Sequence, residues 1–184
     1  MPVEAFPPLE FADERGLLAI GGDLEPGTLL LAYRSGIFPW PASEDSPLLW
    51  FSPPQRAVLK ITDFRVPRSV LKAIKSSSFA VEFNGEFSTV IKQCAMRRQG
   101  SGGTWITSEM IDAYIRLHEM GYAYSVAVYD GGSLVGGLYG VSIGRMVSGE
   151  SMFYLKPNAS KIAFVSLMER LKEQGVGWMD CQQD

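Results

Sequence analysis

Leu134-Val-Gly-Gly-Leu-Tyr-Gly-Val-Ser-Ile143, Met146-Val-Ser-Gly-Glu-Ser-Met-Phe153 and Val176-Gly-Trp-Met-Asp-Cys-Gln182 decide how this chain is read. The first two are apolar runs joined by Gly144-Arg145, which reads as a turn between paired strands. Before the third run, Asn158 or Ser160 opens a helix with Phe164, Val165, Met168 and Leu171 on one face and Gly175 as its stop. Working backwards, Tyr122–Tyr129 alternates as a strand and meets Leu134 through the hairpin turn Asp130-Gly-Gly132. A helix precedes it, starting at Ser108, carrying Ile111, Tyr114, Ile115 and His118 on one face, and ending at Gly121. Helix–strand–strand–strand–helix–strand is an α/β layer on a mixed sheet.

Outward toward the N-terminus the pattern is shorter in period. A helix is expected over Glu86–Arg98, a strand over Phe79–Phe83, a helix over Pro67–Lys75 with Val70, Leu71 and Ile74 inward, and a strand over Arg56–Ile61. Pro26 opens another helix that stops at Gly36. Gly36-Ile-Phe-Pro-Trp40 and Trp50-Phe-Ser-Pro-Pro54 crowd aromatics and prolines without a period, so they read as a packed loop or as the wall of a pocket. Gln99-Gly-Ser-Gly-Gly103 reads as a flexible loop. The division expected is 1–62, an N-terminal region with pocket-wall loops, and 63–184, the larger α/β unit.

At 184 residues, 46% hydrophobic and 20% charged, the composition is that of an ordinary globular protein. No apolar run approaches the ~20 residues of a membrane span, and Met1-Pro-Val-Glu-Ala-Phe-Pro-Pro8 has no signal-peptide pattern. Cys94 and Cys181 form no CxxC pair, so a reduced, cytoplasmic setting without zinc is expected, and a monomer. The net charge of −3 argues against a nucleic-acid binder. Locally, however, Arg56, Lys60, Arg65, Arg68, Lys72 and Lys75 face a single acid, Asp63. Arg68, Lys72 and Lys75 form one helical stripe, which is either a solvated surface or a footprint for phosphates.

The chemistry on offer is narrow. His118, the one histidine, sits on an apolar helix face and reads as structural. Without a second base, Ser–His and Cys–His nucleophiles are excluded, and no GxxxxGK[ST] loop signals ATP. Cys181 should face away from Asp180 and fill core. Strand alternation puts Asp180 and Gln182 on one face, and Ser148, Glu150 and Met152 on one face. Two carboxylates and an amide could take a proton from an attacking amine or hold its charge, with Gln182 fixing the carboxylate of Asp180. By residue type and spacing alone, each acid reads more readily as a surface or ion-paired residue. The element order matches half of the acyltransferase (GNAT-like) fold whose familiar members use acetyl-CoA. That fold binds the CoA pyrophosphate on a Gly-rich turn, and the connection here, Tyr154-Leu-Lys-Pro-Asn158, has no glycine. The acyl group should therefore come from another carrier.

Eight words in order carry a family resemblance: Gly16-Leu-Leu-Ala-Ile-Gly-Gly-Asp-Leu24, Gly36-Ile-Phe-Pro-Trp40, Trp50-Phe-Ser-Pro53 with Arg56-Ala-Val58, Gly103-Thr-Trp-Ile106, Leu134-Val-Gly-Gly-Leu-Tyr-Gly140, Gly149-Glu-Ser-Met-Phe153, Asn158-Ala-Ser-Lys161 and Asp180-Cys-Gln182. The chain resembles the bacterial leucyl/phenylalanyl-tRNA–protein transferases. The resemblance implies transfer of Leu or Phe, sometimes Met, from aminoacyl-tRNA to proteins whose N-terminal residue is Arg or Lys, marking them for degradation. It implies no cofactor and no metal, because the ester is already activated. By motif match, Asp180 orients or deprotonates the amine with support from Gln182, and Glu150 holds positive charge on the acceptor. Tyr33, Trp40 and Trp105 surround the terminal adenosine and substrate. Leu138, Val147, Met152 and Leu167 line the side-chain pocket, and Arg68, Lys72 and Lys75 meet the tRNA acceptor stem. Alternation sets Val147 and Met152 on opposite faces, and a bulge at Gly149 would reconcile them. The family continues for several tens of residues past Asp-Cys-Gln, so the last strand is expected to lack neighbours and the chain to be less stable or inactive. The other readings are an acyl-CoA N-acyltransferase of the same fold and a non-catalytic tRNA-binding remnant.

Overall fold

The computed structural model describes residues 2–99 and 105–183. The chain opens with β1 (Leu17–Ile20), α1 (Pro26–Arg34), β2 (Phe38–Pro39) and β3 (Leu49–Phe51). Pro26 stands in the first turn of α1, where its missing N–H has no helical partner to lose. β1, β3 and β2 pair antiparallel as a three-stranded sheet with β3 in the middle. Parts of the aromatic–proline segments, Phe38–Pro39 and Trp50-Phe51, are therefore strands within what the sequence reads as a periodless loop. At two and three residues they are too short to display alternation.

β4 (Val58–Lys60), α2 (Arg68–Ser76), β5 (Ala80–Phe83), α3 (Phe87–Gln99), α4 (Ser108–Glu119), β6 (Ala123–Asp130), β7 (Ser133–Ile143), β8 (Met146–Tyr154), α5 (Ala159–Glu173) and β9 (Trp178–Asp180) follow. Among the described residues they build a six-stranded sheet in the order β4-β9-β8-β7-β6-β5. β5 to β8 are antiparallel, and α5 carries the chain back so that β9 runs parallel to β8. This is the expected mixed α/β sheet, with the smaller α/β region at its N-terminal side. Gln99 closes α3, and the rest of the expected flexible loop, 100–103, lies outside the described residues.

The sheet separates two cores. On one face, Tyr139, Val141 and Phe153 pack with α1, α3 and α4. On the other, Val126, Leu138 and Val147 pack with Ala163, Leu167 and Met168 of α5 and with Met179. Fully burying such a side chain is worth roughly 1.5–3 kcal/mol, so α1, α3, α4 and α5 are held by their buried apolar faces. Gly136 lets α5 approach: a Cβ there would sit 2.5 Å from that of Ala159.

Four expectations are corrected. The cap of α4 is Thr107, whose hydroxyl accepts from the Met110 N–H at 3.2 Å, one residue before Ser108. The buried face of α4 is Met110, Ala113, Tyr114 and Leu117, so Ile111, Ile115 and His118 flank it. On α2 only Val70 is buried; Leu71 and Ile74 are exposed because nothing among the described residues covers that stripe. β9 does not lack neighbours: β4 pairs along its whole length, Val58 with Asp180 to Lys60 with Trp178, and β8 meets it at Ser148↔Asp180.

Candidate functional site

One extra residue in β8 shapes the site. Tyr139 pairs with Ser151 and Gly140 with Gly149, so Glu150 has no partner on β7 and forms a bulge. The bulge shifts the alternation by one. Met152, opposite Leu138, therefore shares a sheet face with Val147. It also separates Ser148 and Glu150 from Met152, which corrects the expectation that all three share a face. Leu138, Val147 and Leu167 are buried together on the α5 side, while Met152 is half exposed. A chamber of about 240 Å³ borders Val147 and Leu167 there.

Glu150 turns to the opposite face and is buried. Its Oε1 accepts from the Ser148 hydroxyl at 2.7 Å and its Oε2 from the Gln182 amide at 2.8 Å, and Tyr33 donates as well. Burial raises its pKa above the usual carboxylate value, the three donors pull it back, and the charge of Asp180 adds to the rise. Tyr33 and Tyr114 share a short hydroxyl–hydroxyl hydrogen bond behind it. Burial first, and Glu150 second, push both phenols well above their ordinary range, so they remain donors.

Asp180 ends β9, where β8 and β9 touch at one register position and the sheet opens. Its Oδ1 accepts from Arg56 Nε at 2.9 Å and from the Gln182 backbone N–H at 2.8 Å; its Oδ2 accepts from Arg56 Nη2 at 2.6 Å. Gln182 takes a left-handed backbone, φ +66°, which turns its side chain away from Asp180 and toward Glu150. This corrects the expected pairing: the backbone of Gln182, not its amide, fixes Asp180. Arg56, grouped with the surface basic residues in the sequence, is the residue that reading missed. The available signal was a carboxylate inside an apolar strand, which calls for a buried counter-ion.

A cavity of about 170 Å³ collects Glu150, Gln182, Gly149 and Cys181 below Trp40 and Trp105. The two indoles lie 6.0 Å apart at 55°, and Trp40 is backed by Phe38 and Phe51. Asp180 is not on the cavity wall; it stands behind it, with Arg56 on the far side lining an outer groove of about 990 Å³ that also reaches Trp40. Tyr33 is buried under Glu150 instead of beside the indoles. Cys181 is partly buried and packs toward the α5 core while still reaching the cavity. His118 stacks on Phe87 at 4.3 Å and bonds the Ala123 carbonyl, away from the site. Arg68, Lys72 and Lys75 are exposed on α2 and have no ion-pair partner among the described residues. No group of three His, Cys, Asp or Glu that could hold a metal occurs among the described residues.

The mixed sheet thus opens beside a buried carboxylate–amide pair under an aromatic wall. Known proteins sharpen this. Residues 58–184 match the family model for leucyl/phenylalanyl-tRNA protein transferase, and residues 22–54 match that of its N-terminal domain. Leucyl/phenylalanyl-tRNA–protein transferase of Stutzerimonas stutzeri is 52% identical over 97% of this chain and 79% of its own length. That of Dechloromonas aromatica is 50% identical over 98% and 78%. Among solved structures, FemX aligns with TM-score 0.57 at 11% identity, covering 86% of this chain and 60% of FemX, a likeness of fold alone. The chain belongs to the leucyl/phenylalanyl-tRNA–protein transferase family.

Proposed function

We propose that this aminoacyl-tRNA–protein transferase moves Leu or Phe, and Met as a lesser donor, onto the α-amine of proteins beginning with Arg or Lys. The observation that carries the reading is the Glu150–Gln182 pair facing the cavity beneath Trp40 and Trp105. The terminal adenosine of the donor seats against the two indoles, where stacking holds a base without regard to sequence. The amino-acid side chain enters the apolar region of Leu138, Val147, Met152 and Leu167 through the opening between β8 and β9. Arg68, Lys72 and Lys75 meet phosphates of the acceptor stem.

The chemistry follows from which lone pairs are left. Gln182 donates through Nε2 to Glu150, so its carbonyl oxygen is the atom available to accept from an attacking amine. Glu150 compensates the positive charge of the acceptor and, with its raised pKa, takes the ammonium proton more readily than an ordinary carboxylate. The amine nitrogen then attacks the ester carbonyl, the bond to the ribose oxygen breaks, and the proton the nitrogen loses on becoming an amide passes to that oxygen, which leaves as a hydroxyl. Asp180 acts through the backbone, anchoring the Gln182 turn that aims the amide. The ester is already activated, so no cofactor enters. No helix among the described residues is long and apolar enough to cross a membrane; we place the reaction in the cytoplasm, where charged tRNA is made, on a monomer.

The test is transfer of labelled Leu or Phe from charged tRNA to one protein carrying Arg, Lys or Met at its N-terminus, with Gln182→Ala alongside. Transfer to Arg and Lys that collapses in the variant supports the reading. Equal transfer to all three N-termini, or an unaffected variant, refutes it.

A further inference from the structure

We infer that Arg56 is a positioning residue of the transfer site: its guanidinium sets the orientation of Asp180 and ties it to the wall that carries Trp40. The inference rests on the reading of Asp180 as the anchor of the Gln182 turn.

Three observations support it. Arg56 meets Asp180 as a two-point fork, Nε to Oδ1 at 2.9 Å and Nη2 to Oδ2 at 2.6 Å, a geometry only a planar guanidinium supplies. Its third nitrogen, Nη1, donates to the Gly36 carbonyl at 2.9 Å, and its Cζ lies 4.8 Å from the Phe38 ring centre. Gly36 and Phe38 lead directly to Trp40. Arg56 therefore joins the aromatic wall of the small sheet to the last strand of the large one.

The ion pair also differs from its counterparts. Among the described residues the other two, Lys60–Asp63 and Lys156–Asp130, leave at least one side chain about half exposed or more, at 70% and 66% and at 52% and 23%. Arg56 and Asp180 are 22% and 11% exposed. With the Gln182 N–H included, three donors occupy a carboxylate that has about four lone-pair positions. Removing the fork frees Asp180 to rotate, and the turn that aims Gln182 moves with it. A displacement of about 1 Å at a reacting group costs on the order of a hundredfold in rate.

The experiment measures kcat and KM for charged tRNA and for an Arg-initiated peptide in Arg56→Ala, Arg56→Lys, Asp180→Ala and the double variant Arg56→Ala/Asp180→Ala, with a thermal melt of each. The expected result is a kcat lower by about 10- to 100-fold in both Arg56 variants, with KM for tRNA within about twofold of the parent. Arg56→Lys keeps the charge and loses the fork, so it reports on geometry even where Arg56→Ala folds poorly. Guanidinium added at non-denaturing concentration should restore part of the rate to Arg56→Ala and none to the double variant, which should be no slower than Asp180→Ala. Full activity in Arg56→Lys, or a loss confined to KM for tRNA, overturns the inference while leaving Asp180 in place. Full activity in Asp180→Ala removes its premise and refutes the reading of Asp180 itself.

Discussion

Gly140→Ala is a one-carbon change that should damage both the sheet and the site. Gly140 lies on β7 opposite Gly149, next to the bulge at Glu150. A Cβ there would stand 2.5 Å from the Tyr124 hydroxyl and 2.6 Å from its Cζ, and nearer still to the carbonyl oxygen of Ser148. Ordinary contact begins at 3.4 Å. The tyrosine cannot simply swing away, because its hydroxyl donates to that same carbonyl at 2.9 Å. The atom struck hardest is backbone, so β8 must shift. Overpacking of a well-filled core costs roughly 1–3 kcal/mol, and a clash with backbone belongs at the upper end. For a chain of this length about 3 kcal/mol lowers the melting temperature by about 6–12 °C. The shift carries Ser148 and Glu150, so transfer at a temperature well below the melt should fall at least about tenfold. Thermal melts followed by circular dichroism, paired with the transfer assay, read both effects. Gly177→Ala, where a Cβ meets nothing within 4 Å, is the control and should melt at or slightly above the parent. A Gly140→Ala protein that melts within about 1 °C of the parent would refute the reasoning.

Glu150→Gln should become relatively more stable as pH rises. The folded pKa of Glu150 lies above its ordinary 4.5, so between those values the folded state binds the proton and the unfolded state does not. Wild-type stability from this group is thus present below 4.5 and lost as pH rises through the folded value, a loss the glutamine variant does not share. Denaturant midpoints at several pH values test this, and a stability difference independent of pH counts against it. Leu167→Ala should enlarge the chamber beside Val147, cost about 2 kcal/mol, and move kcat/KM toward Phe over Leu by about tenfold; an unchanged donor ratio would dissociate Leu167 from the side-chain pocket. Lys72→Ala should weaken tRNA binding and reduce the slope of log K against log salt by about 0.9. An unchanged slope would return the α2 stripe to plain surface.

The legible parts of this fold were the ones that repeat locally. β6, β7 and β8 run eight residues or more, long enough for alternation and for the glycine turns between them to show. β2 and β3 span two and three residues and gain strand geometry only by pairing across the small sheet, a relation no local pattern records. Glu150 and Gln182 were recognisable as candidates by type and motif. Which way they point was not, because a bulge reverses one alternation and a left-handed residue redirects the other. Arg56 shows the same limit. It stands at the head of a basic run, and its partner lies 124 residues away.

That separation has a consequence in time. The small sheet, α1 and β4 are made early on the ribosome, whereas β9 is made near the end of these 184 residues. Until β9 arrives, β4 has no strand to pair with and Arg56 has no counter-ion. Closing so long a loop is entropically slow to reward, so the contacts that join the candidate site across the two sheets are the ones topology makes slow to form. The β6–β7–β8 meander is antiparallel and local in sequence, whereas the pairing of β4 with β9 and of Arg56 with Asp180 joins segments more than a hundred residues apart.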